Sequence, residues 1–150
     1  RMRLISLLSI FLACCSPTSE NKIQQFYIGV KNFYGAEGVT YYFQITRDSL
    51  KIYSNCDYTN CSERLEYRQR NDQDKIKAFE QFLASYRSDT LKINYADKGV
   101  LDGLVRTVTL QINSDRIKSI RLENYDHPSI DTLLTQIESL IKEEKFRTIK

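Results

Sequence analysis

Between Val39 and Ile45 the chain alternates: Val39, Tyr41, Phe43 and Ile45 hold one set of positions, Thr40, Tyr42 and Gln44 the other. A period of two is what a strand with one buried face requires. Leu50 and Ile52 resume the alternation after Thr46-Arg47-Asp48-Ser49, which predicts a hairpin. Phe26 to Phe33 reads as a strand interrupted by Gly29, and Thr90 to Tyr95 as a shorter one. Val108, Leu110 and Ile112 alternate again, and Ile120 with Leu122 completes a second hairpin across Asn113-Ser114-Asp115. The charged stretch Arg64 to Arg70 suits a solvated loop or strand.

Two segments switch to helical spacing. Ile76, Phe79, Phe82, Leu83 and Tyr86 fall on one face of a helix that Asn71 or Asp72 can cap. The second helix opens at Pro128-Ser129, because proline suits a first turn and Asp131 favours the positive end of the helix dipole. Ile130, Leu133, Leu134, Ile137, Leu140 and Ile141 mark its apolar stripe, while Glu138, Lys142, Glu143 and Glu144 face water. Both stripes are read as core.

The segment Gln44 to Lys51 is echoed by Gln111 to Lys118, and each copy is followed, after a spacer, by an amphipathic helix. Either a duplicated hairpin–helix unit or convergence of two hairpins on Asp-containing turns produces this order. Both lead to the same fold class: α+β, a mostly antiparallel sheet of five to six strands with both helices on one face.

The start of the chain follows a different rule. Arg1 and Arg3 precede an apolar run from Leu4 to Ala13 that ends on Cys14-Cys15. A membrane-spanning helix needs about 20 apolar residues, and this run is roughly half that length, so it reads as an export signal. Leu12-Ala13-Cys14-Cys15 resembles the lipobox of bacterial lipoproteins, where an aliphatic residue and two small ones precede the cysteine that is diacylated. Counting back three from Cys15 lands on Leu12; counting from Cys14 lands on Phe11, which suits the motif less well. The resemblance implies a lipid anchor at Cys15, with Cys14 as the alternative, and a location on a membrane of the cell envelope. The expected location is an outer membrane facing the periplasm, or the cell surface. The expected organisation is a signal over 1–14, a flexible tether over 15–22, and one α+β domain over 23–150.

This organisation changes the electrostatics. The chain has 22 Lys and Arg against 19 Asp and Glu, a net charge of +3, and loss of Arg1 and Arg3 leaves 20 against 19, or +1. Basic and acidic residues interleave, so the concentrated basic footprint of a nucleic-acid-binding protein is missing. Beyond the signal only Cys56 and Cys61 remain. In an oxidising compartment they are expected to form a disulfide, which would stabilise by roughly 2 kcal/mol through loop closure. No metal or cofactor is expected: zinc spacing is missing and the chain has a single histidine, His127.

The chemistry is sparse. Neither Gly35 to Gly38 nor Gly99 to Gly103 continues into a phosphate-cradling loop. Asp97 and Asp102 could supply oxygen ligands to calcium, but a turn explains them without one. His127 between Asp126 and Pro128 reads as a helix cap or an exposed side chain. Two functions follow. The first is a non-enzymatic envelope module that binds a protein, a peptide or cell-wall material, with Tyr27, Tyr34, Tyr41, Tyr42, Tyr53 and Tyr58 on or near the early strands, since tyrosine is enriched at interfaces. The alternative is a small envelope hydrolase using carboxylates or His127, which requires acidic side chains to converge on that imidazole.

Overall fold

The computed structural model describes residues 22–34, 39–56, 63–99 and 103–147, with the side chains of 34, 39, 40, 55 and 56 excepted. The elements are β1 (Phe26–Tyr34), β2 (Val39–Thr46), β3 (Ser49–Cys56), β4 (Arg64–Arg70), α1 (Gln73–Ser85), β5 (Asn94–Ala96), β6 (Leu104–Ile112), β7 (Lys118–Glu123) and α2 (Pro128–Leu140). Short 3-10 turns follow each helix, at Ser88–Thr90 and Glu144–Phe146. The protein is α+β, with seven strands in one sheet ordered β4-β3-β2-β1-β6-β7-β5. Neighbours are antiparallel except β5 and β7, which are parallel.

The seventh strand comes from the Arg64–Arg70 stretch, which forms the edge strand β4. Its charges suit that place, because an edge lined with arginine resists pairing with another chain. At the other edge the strand expected from Thr90 to Tyr95 is displaced and shortened. Ser88–Thr90 turns, Leu91 is buried, Ile93 is 71% exposed, and only Asn94–Ala96 pairs with β7. The parallel pairing follows from the route. β4 lies at one edge and β5 at the other, and α1 carries the chain across between them.

Both helices cover the same face. Phe26, Ile28 and Val30 of β1, Phe43 and Ile45 of β2, Leu50 and Ile52 of β3, Val108 and Leu110 of β6, and Ile120 and Leu122 of β7 are buried against them. From α1 come Ile76, Phe79 and Leu83, and from α2 Ile130, Leu133, Leu134, Ile137 and Leu140. The helices run antiparallel: Lys75 Nζ donates to Ser139 O at 3.2 Å at one end, and Tyr86 Oη donates to Ser129 O at 3.2 Å at the other. Asp72 caps α1, its carboxylate accepting from the amides of Asp74 and Lys75 at 3.1 Å. At the end of α2 the buried Gln69 of β4 donates to Leu140 O at 2.8 Å and accepts from Lys142 N at 3.0 Å. That side chain satisfies groups that a helix end leaves orphaned.

The echoed hairpins flank β1 on either side, but their turns differ. Thr46 and Ser49 close the first tightly, with Ser49 N donating to Thr46 Oγ1 at 3.2 Å, and Leu50 is fully buried. In the second, Asn113 takes a left-handed backbone (φ 52°), and Ile117, aligned with Leu50, is 63% exposed. The likeness is one of strand order, not of packing. Asn113 also fixes the start of the domain, its Oδ1 accepting from Gln24 N at 2.7 Å, so that Ile23 joins the core.

Candidate functional site

Alternation decides what the face of the sheet that no described helix covers displays. Residues one step out of phase with the core point away from the helices. Register sets them in rows. Lys51, Gln44, Gly29, Thr109 and Ser119 form one row, and Tyr53, Tyr42, Lys31, Thr107 and Arg121 the next. Phe33, Val105 and Glu123 lie beyond them. Arg68 extends the first row onto the edge strand, and Leu65, 47% exposed, extends the second. Lys31, Lys51, Arg68 and Arg121 outnumber Glu123 and Glu63, the latter within electrostatic reach of Tyr27, so the face is basic.

Gly29 organises the aromatic part of this face. A Cβ at this position would lie 3.1 Å from Tyr42 Oη and 3.3 Å from Tyr27 Oη, so the two rings lean into space that any side chain would fill. Their hydroxyls hydrogen-bond to each other. Burial, followed by that hydrogen bond, raises the Tyr27 hydroxyl well above the usual tyrosine range. Tyr53 packs beside Tyr42 with ring centroids 6.3 Å apart. The three rings form a patch with an apolar surface and hydroxyl tips, the combination that makes tyrosine useful at interfaces.

Further along β1 the face dips. Lys31, Phe33, Val105, Thr107 and Arg121 line a shallow depression of about 310 Å³. Arg121 also reaches Glu123 at 3.5 Å, with both side chains about half exposed. Register brings Lys31, Thr107 and Arg121 together from three strands. Their convergence was not among the residues singled out from sequence. Half of the signal is legible there, since each stands on the polar phase of its strand; the pairing of β1 with β6, which brings Lys31 beside Thr107, is not local.

Of the tyrosines singled out from sequence, Tyr27, Tyr42 and Tyr53 share the open face. Tyr41 points the other way and meets Phe146 edge-on at 6.2 Å. The Tyr34 side chain and Tyr58 lie outside the described residues, as do Cys14, Cys15 and Cys61. Of Cys56 only the backbone, at the end of β3, is described. His127 caps α2, its Nδ1 accepting from Ser129 N at 3.3 Å, and its ring rests 4.7 Å from that of Tyr95, which stacks on Tyr125 in turn. Asp97 accepts from Gly99 N at 2.9 Å in a turn, and Asp102 lies outside the described residues.

Among the described residues no group of three or more His, Cys, Asp or Glu side chains is placed to hold a metal ion. Likewise no described helix is long and apolar enough to cross a membrane. No protein-family model and no curated protein matches this chain, so the open face is read from its own geometry.

Proposed function

We propose that this chain is a lipid-anchored lipoprotein of the cell envelope, a non-enzymatic module that holds an envelope protein, a peptide or a cell-wall ligand on the open face of its sheet. The observation that carries the reading is the one-sided packing. Both helices cover one face, and the other presents Tyr27, Tyr42, Tyr53 and Phe33 among four cations. Exposed apolar patches rimmed by polar side chains mark interaction sites on many soluble domains.

The Leu12-Ala13-Cys14-Cys15 sequence supports the anchor, at Cys15 or alternatively Cys14, on an outer membrane facing the periplasm or at the cell surface. Two acyl chains hold a protein to a membrane far more firmly than one. The return of the chain from Cys56 to Arg64, which pairs with Ser54, supports a Cys56–Cys61 disulfide closing that connection.

The test is affinity capture from envelope extract with the full chain, beside the open-face variants Tyr53→Ser and Lys51→Glu. Recovery of one stoichiometric partner that both variants lose supports the reading. Capture indifferent to both changes, or turnover of wall fragments by the purified protein, overturns it.

A further inference from the structure

The open face has two ends, and they differ. β1 enters beside Lys22–Gln25, the segment held by Asn113, and runs from Phe26 to Tyr34. With the anchor at Cys15, the seven steps to Lys22 span about 25 Å at full extension. On the reading of Cys15 as the anchor, the Tyr27–Gln111 end is therefore the end nearer the tether. Phe33 lies six residues further along β1, about 20 Å at strand rise, with Val105 of β6 paired to it, so the depression sits at the far end.

Its lining specifies a chemistry. Lys31, Thr107 and Arg121 stand directly across from one another on β1, β6 and β7. Neighbouring strands are about 4.8 Å apart, so the two cations rise from backbones roughly 10 Å apart with a hydroxyl between them. Long side chains from either side can close on one anion there, and a guanidinium matches a carboxylate with two parallel hydrogen bonds. The exposed 3.5 Å contact with Glu123 occupies little of a five-donor guanidinium. Phe33 and Val105 pair in the next row, about 7 Å along the strands, and offer an apolar shelf. Glu123, opposite Val105, adds an acceptor beside that shelf.

We propose that this depression takes the free C-terminal carboxylate of a peptide whose last side chain is apolar. The proposal rests on the open-face reading above. The carboxylate lies over Thr107 between Lys31 and Arg121, the side chain rests on Phe33 and Val105, and Glu123 accepts the amide N–H of the same residue. A bare phosphate would leave the apolar shelf uncovered. An acyl chain would overrun so shallow a depression.

The experiment is fluorescence anisotropy of the full chain with N-terminally labelled Ala-Ala-Leu, against the same peptide amidated at its C-terminus. The free acid is expected to bind saturably. Amidation, or the double change Lys31→Glu with Arg121→Glu, is expected to weaken binding at least about tenfold, a loss of the size that charge-assisted hydrogen bonds carry. Thermal melts check that the double variant folds, and Thr107→Val, which keeps shape and removes the hydroxyl, weakens the acid peptide in its own right. Equal binding of acid and amide, indifference to all three substitutions, or stronger competition by inorganic phosphate or laurate than by the unlabelled acid peptide overturns the proposal. If that happens while Tyr53→Ser and Lys51→Glu still lose the captured partner, the carboxylate site fails and the open-face reading stands.

Discussion

Replacing Gln69 with leucine tests how the sheet edge holds the helix layer that leaves the other face open. Gln69 is 8% exposed and makes four hydrogen bonds: to Leu140 O at 2.8 Å, to Asn71 Oδ1 at 3.3 Å, from Lys142 N at 3.0 Å and from Tyr67 Oη at 3.0 Å. Leucine fills similar space and makes none of them. The Tyr67 hydroxyl can turn to water, but the main-chain groups of Leu140 and Lys142 at the end of α2 cannot both do so without moving the helix. An orphaned buried polar group costs about 1–3 kcal/mol, and the added apolar burial returns about 1 kcal/mol. For the two main-chain groups together the cost is about 2–6 kcal/mol, so the net loss is about 1–5 kcal/mol, a large part of the 5–15 kcal/mol that roughly bounds domain stability. At this chain length that lowers the melting temperature by about 10 °C. Calorimetry reads the shift, and hydrogen exchange at Lys142 should locate it. A variant that melts with the wild type and keeps Lys142 protected would refute the reasoning, because the clamp would then be replaceable by packing alone.

The remaining predictions bear on the anchor, the cysteines and the tyrosines. Cys15→Ala should release the protein from membranes and abolish lipid labelling; labelling that persists through Cys14 would move the anchor by one residue. Without reductant, Cys56 and Cys61 should resist alkylation, and ready modification of both would remove the disulfide. Tyr86 is pushed up to about 12 by burial, with Tyr95 adding to the effect, and Tyr27 is raised as well, against about 10 in an unfolded chain. The native state therefore keeps protons that the unfolded chain has released, so this stability is intact below about pH 10 and falls as the pH climbs toward 12. Alkaline melts flat across that window would contradict the burial of these hydroxyls. Tyr42→Phe removes the partner of Tyr27, and tyrosinate absorbance should then show the Tyr27 hydroxyl returning toward its ordinary range.

Much of the fold can be read along the chain because the rules that make it are local. The alternation of Val39 to Ile45 and of Val108 to Ile112 marks strands in which Phe43, Ile45, Val108 and Leu110 are buried while Tyr41 stays exposed, and Asp72 and Pro128 open the two helices as their chemistry requires. At the edges the sequence left alternatives open or misplaced the bounds. β4 has few apolar residues and keeps its place through pairing with β3, and β5 is a strand only because α1 delivers it alongside β7. Isolated, neither carries a periodic signal strong enough to define it.

The candidate site divides along the same line. Sequence alone placed Tyr42 on the polar phase of β2, and the resemblance of Leu12-Ala13-Cys14-Cys15 to a lipobox carries the proposal of an anchor at Cys15. It could not bring Lys31, Thr107 and Arg121 together, nor set Tyr27 and Tyr42 over Gly29, because those neighbours come from strands far apart in the chain. Periodicity fixes which face a side chain takes, since that depends on backbone geometry over a few residues. Which strands lie side by side, and so which side chains meet on the open face, depends on burying both helices against one sheet, and only the tertiary structure decides that.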